Sequence, residues 1–520
     1  MGFMQNIKNM LTNEYNTSVT ENGASGYKTT GKALLDLNFS VSSCRNASQE
    51  EIVSKFVKAY YENPRLAVRW LFFAGDVRQG LGERRLFRTL IMYLANNHID
   101  IARALIPLIP EFSRWDIVVA LLDTPLANDA ADMMRRQIHE DNINMEKGES
   151  VSLCAKWLPS ENASAEHTRK MARVLAERLS MTRKQYRQML SEHRKYLDVV
   201  EVKMSGRRWT EIDYSAVPSK ANLVYNKAFL RNDEERRREF LSAVKKGEQT
   251  IHAGVLYPHD IVHSYMRDGE SAWTKILAPA DDTLEELWKA LPDYVQGTGN
   301  TLCIADGSGS MTATVGNTQV TCLDVANALA VYFSERCTGQ FRNMYITFSQ
   351  TPQFVDLSKG RSLHDKIEIA LNYNEVANTN IEAVFDLILR TAVKCHMPQS
   401  ELPENLLILS DMEFDAATRS YVNGKSVSPD EKLFDMFATK YAMHGYRLPR
   451  LVFWNICSRT NTIPVIQNAL GVALVSGFSP VIVKMVLSNE INPYKALVEQ
   501  LMVPRYDVVE NAVESVMEAC

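Results

Sequence analysis

The chain has 520 residues, of which 46% are hydrophobic and 23% charged, with a formal net charge of −4. That length exceeds a single compact core and points to more than one domain; the composition is globular, which sets aside disordered and fibrous classes. No stretch approaches 18 uninterrupted apolar residues, so no membrane-spanning helix and no membrane partner are expected.

The small net charge hides an asymmetry. Residues 281–520 carry 18 Lys+Arg against 28 Asp+Glu, a balance of −10, which leaves +6 for residues 1–280. The start, MGFMQNIKNMLTNEY, lacks a basic stretch followed by an apolar core and a small-residue cleavage site, so no secretory leader is expected. Eight cysteines are scattered without CxxC spacing, several inside apolar runs, as expected of reduced thiols in a cytoplasmic protein.

Residues 1–45 are rich in Asn, Ser, Thr and Gly and read as an irregular N-terminal arm. From Ser48 the pattern turns helical: EEIVSKFVKAYYENP, PRLAVRWLFFAGDVRQG, ERRLFRTLIMYLANN, HIDIARALIPLIPEF and RWDIVVALLD are broken by Pro, Gly or Asn. Segments of that length are expected to stack as antiparallel helix pairs in a solenoid. Helical but basic sequence continues through 165–250. Beyond LPDYVQGTGN the period changes again. TLCIAD, MYITF, FVDL, NLLILSD, RLVFWNIC and GVALVSG read as strands alternating with helices, which predicts a doubly wound, mostly parallel sheet.

In such a sheet, ligands bind outside the carboxyl ends of the strands. Asp306 ends the first strand, Ser308 and Ser310 follow at alternate positions, and Asp411 follows NLLILS. Two carboxylates with neutral hydroxyls, and neither Cys nor His, form a hard-oxygen set suited to Mg²⁺, Mn²⁺ or Ca²⁺ rather than Zn²⁺. The competing local reading is a Ser-Gly turn that caps the next helix. The order Asp-x-Ser-x-Ser, then a loop Thr, then a distal Asp resembles the metal-ion-dependent adhesion site of von Willebrand factor A domains. That resemblance implies Asp306, Ser308, Ser310, Thr379 and Asp411 as the metal set, with Mg²⁺ as first candidate. It also implies a coordination position left for an acidic group on a protein partner.

Between Glu166 and Lys246 there are 20 Lys+Arg against 11 Asp+Glu, interleaved with Tyr186, Tyr196, Trp209, Tyr214, Tyr225 and Phe229. Basic residues track phosphates and aromatics stack bases, which suits RNA and single strands in particular. Docking of the acidic half and a solvated face are the alternatives. Arg207, Arg208, Arg236, Arg237, Lys245 and Lys246 are the candidate RNA contacts here. Arg78, Arg84, Arg85 and Arg88 form a second set around Gly80 and Gly82, where a helix start favours an anion. Its alternative is pairing of Arg84 or Arg85 with Glu83 or Asp76.

The stretches GDVRQGLGERRLFRTL, EFSRWDIVVALL, KWLPSENASA, YRQMLSEHRKYLDVVE, RRWTEIDYSAVPSKANLVYNKAF and LYPHDIVH resemble an uncharacterised family that joins a helical half to a von Willebrand A half. That family is similar in layout to the TROVE proteins, which include the Ro autoantigen. The resemblance implies a multidomain chain: an arm over 1–45, a TROVE-like all-α helical-repeat (HEAT-like) ring or solenoid over 46–290, and an α/β doubly wound von Willebrand A-like domain with C-terminal helices over 291–520. It also implies a Ro-like ribonucleoprotein that binds structured or single-stranded RNA. The rival is a metal-dependent protein-interaction or assembly module without RNA.

No Ser-His-Asp or Cys-His arrangement and no nucleotide-binding glycine loop can be argued from spacing, so no catalytic activity is expected. HDIVH (His259–His263) has the spacing of a zinc metalloprotease helix, but Asp260 stands where the catalytic Glu belongs and no third ligand is evident.

Overall fold

Apolar residues three and four apart set the helices of the first half. In α1 (Pro64–Gly75) and α2 (Arg84–Asn97) the second shows this most plainly, burying Leu86, Phe87, Leu90, Ile91 and Leu94 on one face. The long α3 (Ala127–Lys147) ends on Gly148, whose φ of 72° supplies the left-handed turn that closes a helix. The basic stretch forms α4 (Glu166–Arg178), α5 (Arg183–Tyr196), which starts with a Thr182/Gln185 capping box, and α6 (Glu234–Lys245). The computed structural model describes residues 4, 15–268, 275–295, 300–348, 351–373, 380–414, 421–422, 425–426, 433–464, 472–482 and 492–518.

The second half holds a six-stranded sheet of β1 (Thr301–Asp306), β2 (Met344–Phe348), β3 (Gln353–Asp356), β4 (Asn405–Ser410), β5 (Arg450–Asn455) and β6 (Val472–Ser476). Its order is β6-β5-β4-β1-β2-β3. Every residue of β1 and β6 is buried, as is all but the first residue of β4 and β5. Strands covered on both faces need continuous apolar runs rather than alternation, which these sequences supply. All pairs are parallel except β2 with β3. Only four residues separate those two strands, too few for the crossover that a parallel pair requires. α7 (Cys322–Arg336) is buried almost throughout, and α8 (Ile381–Lys394) is amphipathic.

The chain divides into two units that are not consecutive segments: Met1–Leu66 with Leu256–Leu501, and Ala67–Val255 with Met502–Cys520. Residues 502–520, expected with the second domain, therefore group with the helical one. There α9 (Asp507–Met517) lies beside the helix Ile99–Leu105, and the buried Arg69 of α1 donates to Asp507 and Glu510 at 2.7 and 2.6 Å.

The N-terminal arm is built into the sheet unit. Thr17–Val19 and Ser25–Tyr27 form an antiparallel ribbon, and Tyr27 exchanges backbone hydrogen bonds with Ile463 at 2.8 and 2.9 Å. A Cβ on Gly26 would stand 2.6 Å from Thr462 Cγ2 and 2.8 Å from the Ile463 carbonyl oxygen, so this approach requires glycine. Further along, the Ser42 hydroxyl donates to the Asn455 carbonyl at 2.9 Å, and Asn455 Nδ2 donates to the Phe39 carbonyl at 2.8 Å. The arm thus lies across the carboxyl ends of the strands.

Candidate functional site

The strand order reverses between β1 and β4, and ligands in open α/β sheets bind at such a switch point. Asp306 and Asp411 stand there side by side. Asp306 accepts the Ser308 N–H at 2.9 Å and the Ser410 hydroxyl at 2.5 Å. The Ser308 and Ser310 hydroxyls lie 3.0 Å apart, and Ser310 hydrogen-bonds the Asp411 carboxylate. Asp411 also accepts the Glu413 N–H at 3.2 Å. Asp306, Ser308 and Asp411 are buried, while Ser310 is partly open.

Burial, then the negative charge of Asp306, pushes the Asp411 carboxyl up to about 7; hydrogen bonding from Ser310 and the Arg459 charge oppose that rise. Two carboxylates held in mutual repulsion beside two hydroxyls fit a hard divalent cation, which would relieve that repulsion. Among the described residues there is no cluster of three or more His, Cys, Asp and Glu side chains able to hold a metal. A cation here would therefore rest on two carboxylates and neutral oxygens. Thr379 lies outside the described residues.

Three further residues border this site. Glu413, fully buried, accepts the backbone N–H of Glu21, Arg459 and Thr460 at 2.8 to 2.9 Å and the Ser458 and Thr460 hydroxyls at 3.1 Å. Arg459 Nη2 lies 3.5 Å from Asp411 and 2.6 Å from Glu21. Arg459 follows β5, the strand next to β4, so the strand-end rule could have found it. Glu21 carries no local signal, because its place depends on the path of the arm.

The basic candidates fall into different environments. Arg84, Arg85 and Arg88 are exposed on the first two turns of α2. Arg78 is exposed too, with its guanidinium on the Glu111 carbonyl at 2.5 Å. Asp76 is taken up by Arg505 Nε at 2.5 Å. Arg207, Lys245 and Lys246 are exposed, and Arg208 pairs with Glu211 at 2.9 Å. Arg236 is occupied by the Trp209 and Ile212 carbonyls and by Asp233. Arg237 is a correction: it is fully buried, packed against Tyr214, Phe229 and Phe240, with Nη1 3.0 Å from Asn222 Oδ1, so it presents no charge to a ligand.

Three of the six interleaved aromatics are corrected likewise, while Trp209 and Tyr225 are half-buried. Tyr186, Tyr214 and Phe229 are core residues, with the Tyr186 hydroxyl on the Pro159 carbonyl at 2.8 Å. Tyr196 is exposed and donates to the Glu149 carbonyl at 2.7 Å. His259 stacks on Tyr257, and His263 Nδ1 lies 3.2 Å from Asp324 Oδ2, so the two histidines serve packing and a helix start. The seven described cysteines are all free thiols. No described helix is long and apolar enough to cross a membrane.

Residues 20–109 and 116–301 match a family described as a domain of unknown function, DUF2828. Residues 300–515 match a second, DUF7788. An uncharacterised protein of Acanthamoeba polyphaga mimivirus is 27% identical over 531 residues, spanning 94% of this chain and 87% of that protein. The crystal structure of the Deinococcus radiodurans Ro (RSR) protein aligns over 82% of this chain and 93% of its own, with a TM-score of 0.34 and 13% identity.

Proposed function

We propose a function for this chain, which belongs to the family described as a domain of unknown function, DUF2828: a noncatalytic, cation-dependent binding protein. Its strand-end site holds a divalent cation, Mg²⁺ first and Mn²⁺ or Ca²⁺ in its place, and presents it to an acidic group on a protein partner. Asp306, Ser308, Ser310 and Asp411 are the holding residues, with Thr379 the fifth. The carrying observation is that residues 306–310 and 411, a hundred positions apart, share hydrogen bonds at the switch point while the two carboxylates repel each other. A bound cation supplies a positive centre for a carboxylate; the chain's own residues fix its position and keep bulk water from the buried oxygens. The resemblance to a von Willebrand A metal site is supported by that convergence and by the doubly wound sheet.

Calorimetric titration with Mg²⁺ or Mn²⁺ tests the reading. Asp306→Ala with Ser308→Ala is expected to abolish uptake while circular dichroism stays that of the wild type. Undiminished affinity in the double variant overturns it.

A second reading, RNA binding in a Ro-like ribonucleoprotein, is favoured by one observation: Arg84, Arg85 and Arg88 are exposed together at a helix start. Arg207, Lys245 and Lys246 add exposed charge elsewhere in the helical unit. The burial of Arg237 and of three of the six interleaved aromatics makes phosphate contacts, more than base stacking, the basis of such binding.

A further inference from the structure

The arm and the cation site share one guanidinium. Arg459 Nη2 lies 2.6 Å from the Glu21 carboxylate and 3.5 Å from that of Asp411. The Asp411 side chain is 2% exposed and the Arg459 side chain 38%. Around them the backbone is pinned. The Glu21 N–H and the Arg459 N–H both donate to the Glu413 carboxylate at 2.8 Å, the Thr20 hydroxyl donates to the Phe414 carbonyl at 2.6 Å, and Asn22 Nδ2 to the Glu413 carbonyl at 2.7 Å. Glu413 therefore fixes the arm and the 458–460 turn relative to each other. What is left to move is the long, half-exposed side chain of Arg459, with one carboxylate on either side.

Resting on the cation reading above, we infer that Arg459 is a charge lever that couples occupancy of the cation site to the N-terminal arm. With the site empty, the guanidinium is shared between Asp411 and Glu21 and supplies part of the positive charge that the two buried aspartates lack. A divalent cation at Asp411 repels it, and the lever goes fully onto Glu21, tightening the arm. Reciprocity follows from linkage: whatever draws Arg459 onto Glu21 favours the cation, and whatever frees Arg459 to neutralise Asp411 opposes it. Glu21 is a positioning residue in this scheme, since it reaches the cation only through Arg459.

The test is a double-mutant cycle read by Mn²⁺ affinity on the full chain. Arg459→Gln removes the competing charge and is expected to tighten Mn²⁺ by about tenfold. Glu21→Gln leaves Arg459 to Asp411 alone and is expected to weaken Mn²⁺ several-fold. In the Arg459→Gln background, Glu21→Gln is expected to change nothing, which a merely structural role for Glu21 would not produce. Amide exchange at Glu21, whose N–H donates to Glu413, is expected to slow when Mn²⁺ is added to the wild type and not to Arg459→Gln. If Arg459→Gln fails to fold, Arg459→Lys keeps the charge, and Glu21→Gln must still weaken Mn²⁺ in that background. Mn²⁺ affinity indifferent to Glu21→Gln in a wild-type background overturns the lever alone. No Mn²⁺ uptake by the wild-type chain overturns the cation reading and the lever with it.

Discussion

Arg505 grips Asp76 through two hydrogen bonds, Nε to Oδ2 at 2.5 Å and Nη2 to Oδ1 at 3.1 Å, across 429 residues of sequence. Asp76 is fully buried and also accepts the Tyr506 hydroxyl at 3.2 Å and the Arg78 N–H at 2.9 Å, while the Arg505 guanidinium lies over the Phe112 ring. Removing one partner of a buried pair leaves the other charge without compensation, at about 3–5 kcal/mol. Arg505→Ala is therefore expected to destabilise the helical unit by roughly that amount, seen as a lower urea midpoint for the loss of helical signal. An unmoved midpoint would mean that the last helix does not clasp this unit.

What could be read in advance follows from how far each residue's environment depends on distant chain. The apolar runs ending at Asp306, Ser410, Asn455 and Ser476 announce buried parallel strands by themselves, and the alternation of Asp306, Ser308 and Ser310 announces a strand-end oxygen set. The antiparallel edge at Gln353–Asp356 is legible in the four-residue spacing between its strand and the one before it. Arg237 was misplaced although a signal existed: it precedes Phe240 and Leu241 by three and four positions, which puts it on the buried face of α6. Nothing local in ENGAS says that Glu21 meets Arg459, nor in PRYD that Arg505 meets Asp76. Such pairings are set by the return of the chain.

Asp411 gives the metal-free chain a definite pH signature. Its carboxyl is raised from an ordinary 3.8 to about 7, first by burial and then by Asp306. Between about pH 4 and 7 the folded state thus keeps a proton that the unfolded state releases, so stability falls as pH rises through that window, by at most ~1.4 kcal/mol per pH unit. In the presence of a chelator, thermal melts of the wild type are expected to show this decline, and Asp411→Asn to flatten it. A decline of the same steepness in Asp411→Asn would place its origin in another group.

Arg237 and its neighbour Arg238 should behave differently when each is changed to Ala. Arg237 is buried among three aromatic rings and bonded to Asn222, whereas Arg238 is exposed and pairs with Glu234 one turn back. Loss of the buried side chain, which leaves a cavity among the three rings, is expected to cost about 3 kcal/mol, and loss of the surface pair under 1 kcal/mol. Equal denaturation midpoints for the two variants would contradict the internal placement of Arg237.

The RNA reading has a quantitative signature in salt. Each contact to a phosphate of single-stranded RNA releases condensed counterion and contributes about −0.7 to the slope of log affinity against log salt. Arg84, Arg85 and Arg88 are exposed on one helix start, so their simultaneous reversal to Glu is expected to weaken binding strongly and to flatten the slope by about two units. The reversals lie in the helical unit and the cation oxygens in the sheet unit, so Mn²⁺ affinity serves as the internal control and is expected to hold. The three arginines act through surface charge in this reading, so the thermal midpoint should also hold. A wild-type slope near zero in filter binding would remove RNA from the account, because arginine contacts to phosphates release counterions and must give a salt dependence.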